Sequence, residues 1–356
     1  MAKRLDRRRG RPRPPKRARK RPRLGALTDE QLLEMRLCDL GVTLEGTEIM
    51  RRIKRVYREV AARGIDFRPH IWLSSEWFSP DGVPGIAVPF YLAHERLIRL
   101  EQKMMHFAEG AAERLCLKIL RHEVAHTICT AWRLHYRKQW RQVFGRFSAP
   151  YPDSYRPRPS SRDYVHHFDG WYAQAHPAED FAETFAVWLR PRNVWRRQYH
   201  GWPALRKLEY VDALMQEIAG TRPPVRSHQE IEPLSSLRTT LRQHYRVRHR
   251  RYGSDWPDFF DGDLRKIFSE DDRFSQRETA AAFLRRTRPA IREAVSHWTG
   301  QHPYTIDQVL RDMIDRCKEL NLRLATPQRD AKMQATLMLT VQTMNYIHGR
   351  GLGFAL

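Results

Sequence analysis

In the run Arg121-His122-Glu123-Val124-Ala125-His126, two histidines stand four residues apart with a glutamate beside the first. Four residues of helix advance about 400°, so His122 and His126 leave nearly the same face, one turn apart. That spacing lets two imidazoles take neighbouring corners of a zinc tetrahedron. Glu123 leaves about 100° around from His122, close enough to reach a water at the metal without ligating the metal itself. The chemistry this suits is hydrolysis, in which the metal acidifies water and Glu123 takes its proton as attack on a carbonyl begins. An ordinary helix face with two histidines is the plain alternative, and the flanks weigh against it. Cys116-Leu117-Lys118-Ile119-Leu120 and Thr127-Ile128-Cys129 predict a helix buried on much of its circumference. A His-Glu-His run embedded there costs desolvation unless something such as a metal satisfies it.

A third ligand is expected from a later helix, and Trp171-Tyr172-Ala173-Gln174-Ala175-His176-Pro177-Ala178-Glu179-Asp180-Phe181-Ala182-Glu183 offers one. Pro177 suits a first helical turn. Glu179 and Glu183 then share a face, followed by apolar Phe185, Ala186, Val187 and Leu189. Carboxylates beside such a stripe usually snorkel at its edge. Paired with the histidine helix, they divide roles instead: Glu179 ligates zinc, and Glu183 accepts the second imidazole N–H of a ligand histidine, fixing its tautomer. Other candidates rank lower. Asp180 points about 100° from Glu179 and caps or solvates, His176 reads as a satisfied turn histidine, and His166-His167 with Asp169 as a loop anchor or a substrate-side group. Cys129 shares the face of His126, so a closed His/His/Cys structural site competes with the better expectation of a small buried thiol.

The downstream glutamate helix after HExxH resembles the gluzincin metallopeptidases. The string Tyr172 to Ala186, in the pattern YxxxHPxEDxAExxA, resembles the bacterial family of putative zinc-binding metallopeptidases, which is similar around its site to the anthrax lethal factor peptidase domain. A tyrosine seven residues before the ligand glutamate and a second glutamate four after it are matched here by Tyr172, Glu179 and Glu183. The resemblance covers about 65–190 and implies one zinc ion on His122, His126 and Glu179. It implies Glu123 as general base and Tyr172 as hydrogen-bond donor to a tetrahedral oxyanion. Many members of that family begin with a cysteine zinc ribbon; this chain carries a basic tail instead, so no ribbon-dependent partner is expected.

The elements that must position these groups are legible around them. Thr28, with Gln31 three residues on, predicts a helix start before Leu32, Leu33, Met35 and Leu37, and Ile49, Ile53, Val56, Tyr57 and Val60 mark one face of a helix over 46–62. His70–Leu73 and Gly85–Tyr91 read as strands, with Ser79-Pro80-Asp81-Gly82 as a turn between them. The second, over Ile86–Tyr91, is the expected edge strand for pairing with an extended substrate. Helix is predicted from near Ala111 to about Tyr136, and again over 177–190 after a Pro- and Ser-rich stretch at 149–162. Trp132, Tyr136, Trp140 and Phe144 extend the first helix or begin another. Gly220-Thr221-Arg222-Pro223-Pro224 is the best domain boundary, because Pro-Pro stops helix. Beyond it, Thr305 with Gln308 and the stripe Ile306, Val309, Leu310, Met313, Ile314, Cys317 and Leu320 predict a packed helix, and 330–347 a second one rich in methionine.

The 356 residues, 41% hydrophobic and 29% charged, exclude wholesale disorder, and no window approaches the apolar length of a membrane-spanning helix. Residues 1–23 hold 13 Lys and Arg and one acid, Asp6, so they carry +12 of the net +23. Four prolines and like charge predict a disordered tail, open to nonspecific contact with nucleic acid or an acidic partner. Cys38, Cys116, Cys129 and Cys317 form no CxxC pair, and no apolar core of an export signal follows the arginines, so a cytoplasmic protein is expected. The expected architecture is α+β: a disordered tail over 1–23, a zincin-like domain over 24–220 (a small sheet with the HExxH and glutamate helices) and an α-helical domain over 221–356. The expected function is zinc-dependent hydrolysis of a protein or peptide substrate. Its alternatives are a nucleic-acid-associated binding protein with a structural or vestigial zinc site, and a zinc amidohydrolase acting on a non-peptide amide.

Overall fold

The computed structural model describes residues 23–349, apart from 153, 156–157, 159–160, 191–193 and 253–260, together with residues 354–355. The basic tail, save Arg23, lies outside the described residues. Helix dominates and the sheets are small, an α+β fold in kind. Among the described residues no helix is long and apolar enough to cross a membrane.

Two amphipathic helices start the fold. α1 (Asp29–Leu33) carries the expected capping box between Thr28 and Gln31. α2 (Glu48–Ala61) buries Ile49, Ile53, Val56 and Val60. β1 (His70–Ser74) and β2 (Gly85–Pro89) follow, and they pair in parallel, with His70 opposite Gly85 and Ser74 opposite Pro89. A parallel pair needs a crossover rather than a tight hairpin, so the turn at Pro80–Val83 lies within a longer connection. β2 is not the free edge expected of it. The N–H and C=O of Ala87 bond to Phe78 on the side away from β1, and all five residues of β2 are buried. An extended substrate has no open ladder there.

α3 (Glu95–Met105) leads to α4 (Glu113–Ala131), buried almost all round from Cys116 onward, as its apolar flanks require. α4 ends earlier than its pattern suggests, because Arg133 takes a left-handed conformation (φ 52°). A separate α5 (Lys138–Phe144) then turns Trp140 and Phe144 into the core. α6 (Pro177–Leu189) begins with Pro177 in its first turn, and His176 caps it by accepting the Ala178 N–H at Nδ1. Phe181 of α6 meets Trp140 and Phe144. The short α7 (Trp195–Gln198) and α8 (Ala204–Ile218) close this side.

The chain then passes the expected boundary at 220–224 without leaving this core. Leu234 and, on α9 (Leu241–Tyr252), Leu241 and Tyr245 are buried in the same cluster that begins at Leu24. A second cluster begins only at Leu264 and is built from α10 (Asp261–Ile267), α11 (Ala280–Thr299), α12 (Pro303–Glu319) and α13 (Gln328–Gly349). The two cores therefore divide between Tyr252 and Asp261. The Pro-Pro pair follows the end of α8 at Ile218 without ending the packed unit.

Candidate metal centre

α4 and α6 pack side by side, which sets the His-Glu-His run of one against the two glutamates of the other. The ring of His122 is buried between them and is held from both nitrogens. Its Nδ1 lies 3.0 Å from Glu183 Oε1, and its Nε2 lies 2.9 Å from Glu179 Oε2. His126 Nε2 stands 3.0 Å from His122 Nε2 and 3.4 Å from Glu179 Oε2.

Glu183 decides what the other atoms present. It is fully buried, and its Oε2 accepts the Phe168 backbone N–H at 2.8 Å. Its Oε1 is then the acceptor for His122 Nδ1–H, and that tautomer leaves a lone pair on His122 Nε2. The lone pair faces a carboxylate oxygen and a second imidazole nitrogen. Glu179 Oε2 is itself buried with no hydrogen-bond partner among the described residues. Three lone pairs this close repel unless a cation lies among them. Ligand atoms at about 2.0–2.1 Å from a tetrahedral zinc stand roughly 3.3 Å apart, near the spacings seen. The residues present fit zinc, and one atom from each of His122, His126 and Glu179 completes a three-ligand set.

The electrostatics point the same way. Burial by itself lowers the His122 imidazole, but the carboxylates of Glu179 and Glu183 outweigh it and push its pKa up to about 10. Burial also opposes the charge on Glu179, yet the imidazoles of His126 and His122 hold its carboxyl well below the usual carboxylate range. The pocket favours positive charge at its centre.

Around this centre stand the remaining predicted residues. Glu123 lies to one side of the three, and its Oε2 accepts a hydrogen bond from the Ser79 hydroxyl at 2.8 Å. The Tyr172 ring lies 5.8 Å from that of His122, centroid to centroid. Burial, then the charges of Glu179 and Glu123, push its hydroxyl well above the ordinary phenol range, so it stays a proton donor. Asp180 turns away to Lys207 Nζ at 2.6 Å. His176 anchors its turn, with Nε2 2.8 Å from the Ala149 carbonyl. His167 is pinned between the Lys118 carbonyl and Arg190, and the His166 N–H bonds to the Tyr199 hydroxyl, so this pair anchors a loop. Cys129 is not among the converging ligand atoms: burial pushes its thiol far up, and its Sγ lies 3.7 Å from His135 Nδ1.

Two contacts carry no signal of helical spacing. Tyr151 donates its hydroxyl to Glu179 Oε1 at 2.8 Å and stacks on His176 at 3.8 Å. It sits in the Pro- and Ser-rich stretch, 28 residues from its partner. Ser79 reads in the sequence only as a turn former.

Residues 99–210, from within α3 into α8, match the model of the family described as putative zinc-binding metallo-peptidase. Over that segment, less than half of the chain, the protein is similar to this family. The matched segment holds all six of the predicted site residues, and it begins and ends later than the stretch over which the residue patterns resemble the family. No curated protein and no solved structure matches the chain, and the likeness to the lethal factor domain rests on its residue offsets alone.

Proposed function

We propose that this protein is a zinc-dependent metallopeptidase of the gluzincin kind, with a zincin-like body that ends near Tyr252. The observation that carries the reading is the convergence of His122 Nε2, His126 Nε2 and Glu179 Oε2 with Glu183 behind His122. Metal ligands are commonly steadied by such partners, and an ordinary core histidine needs no second glutamate. The zinc family match over residues 99–210 supports it.

Zinc held by these three residues would polarise a carbonyl and make water acidic near neutral pH. The chain's own groups do the rest. Glu123 takes the water's proton and returns it to the leaving nitrogen, and the Ser79 hydroxyl on Oε2 holds that carboxylate in place. Tyr172, kept protonated, donates to the oxyanion. Glu183 keeps Nδ1 of His122 protonated, so that its Nε2 stays free to ligate.

Elemental mass spectrometry of purified protein is the first test. Wild type is expected to hold about one zinc, Glu179→Ala to lose it, and Glu123→Gln to keep it while peptide hydrolysis disappears. Zinc absent from the wild type after reconstitution would overturn the reading. Retained hydrolysis in Glu123→Gln would remove Glu123 from its role.

A further inference from the structure

We infer that the cleft beside the metal centre binds an acidic segment of the peptide substrate, an inference that rests on the peptidase reading. The cleft encloses about 1200 Å³, more than a single small ligand needs. Arg133, Lys138, Arg141 and Arg146 line it, against one acid, Asp81.

Three lines of structure join this cleft to the metal centre. Thr130, one helical turn beyond His126 on the same face of α4, lies in its wall. Asp81 and Gly82 belong to the turn that follows Ser79, whose hydroxyl holds Glu123. A row of rings runs in from the ligand carboxylate: Tyr151 on Glu179, His176 under Tyr151, then Phe147 at 6.5 Å and His135 at 4.2 Å from Phe147. A chain lying across the metal would continue into this cleft.

The charge there is not already matched. Among the described residues none of the four cations makes an ion pair or a side-chain hydrogen bond. The other large cleft, of about 880 Å³, is also basic, but most of its cations are engaged. Arg121 is bidentate on Glu59, Arg55 is on Glu113, and Arg190 is on the His166 carbonyl and His167. Four exposed cations without partners repel one another, and an incoming run of Asp or Glu relieves that repulsion. The placement beside the metal centre favours peptide over nucleic acid.

The test uses full-length, zinc-loaded Glu123→Gln, so that binding is read without turnover. Fluorescent peptides of equal length, one rich in Asp and Glu and one with Asn and Gln in their place, are compared by anisotropy. The acidic peptide is expected to bind about tenfold more tightly at low salt, with the preference shrinking as screening rises. Lys138→Glu with Arg141→Glu should remove most of that preference. Arg8→Glu with Arg9→Glu, an equal reversal in the tail, should remove much less. Equal binding of the two peptides would overturn the proposal. So would a tail reversal as costly as the cleft reversal, or an oligonucleotide of equal charge that competes as well as the acidic peptide. Zinc content and thermal melting of the cleft variant check that it folds. If wild type cleaves no peptide at all, the peptidase reading fails separately, and the binding comparison still decides the cleft.

Discussion

Glu179 has its two oxygens in different company. Oε2 faces the imidazoles, while Oε1 accepts the Tyr151 hydroxyl. A carboxylate that ligates through one oxygen is oriented by whatever holds the other, so Tyr151 acts on Glu179 as Glu183 acts on His122. Tyr151→Phe is expected to weaken zinc affinity about tenfold, measured by competition with a chromogenic chelator. Tyr172→Phe should separate from it cleanly. That hydroxyl makes no hydrogen bond among the described residues, so its loss should leave zinc affinity unchanged and lower kcat roughly 10²–10³-fold. If both variants fall equally in zinc affinity, the division between positioning and oxyanion roles is wrong. The legibility of these groups in the sequence follows their support. His122, His126, Glu179 and Glu183 sit on helices, where a spacing of four fixes a shared face through residue order alone. Tyr151 and Ser79 reach the centre from loops, whose path no periodicity encodes.

Elements carry the same distinction between local and long-range information. Caps, proline and apolar stripes set the start of α1 and the limits of α2 and α6 within a residue or two, while α1 ends at Leu33, four residues before its apolar run does. The pairing of β1 with β2 is decided by distant packing, and the two strands lie parallel although the run between them looks like a hairpin turn. The start of the glutamate helix depends on one such distant contact. Gly145, at the end of α5, adopts φ 107° and ψ −166°, a region that only glycine occupies readily. A Cβ there would meet Pro177 Cγ at 3.2 Å, in the first turn of α6 and two residues before Glu179. Gly145→Ala is expected to cost about 1–3 kcal/mol of stability from backbone strain, read as a lower denaturant midpoint. Because the push falls on Pro177, zinc affinity should weaken as well. A loss of stability with unaltered zinc affinity would show that α6 absorbs the shift away from the centre.

At the scale of the molecule, the two cores are joined through a polar contact centred on one carboxylate. Asp307 of α12 is fully buried, with Arg288 on both its oxygens, Arg292 at 2.8 Å and Arg311 at 3.2 Å from the second body. From the first body, His106 Nε2 reaches it at 2.9 Å, while Tyr304 stacks on His249 at 4.4 Å. The Pro-Pro pair was legible as a place where helix cannot continue, but this seam was not, since His106 and Asp307 lie about two hundred residues apart in the chain. Burial raises the Asp307 carboxyl, yet His106, Arg288 and Arg292 more than reverse this and hold it far below its ordinary value of 3.8. The folded state therefore binds this proton later than the unfolded state does. Its contribution is complete above about pH 4 and is lost progressively as pH falls below that. Asp307→Asn leaves the arginines unbalanced and should cost about 3 kcal/mol at pH 7. The gap between wild type and variant should then narrow in urea titrations between about pH 4 and pH 2, as the wild type loses what the variant never had. A gap that stays constant with pH would mean that Asp307 contributes through packing and not through its charge.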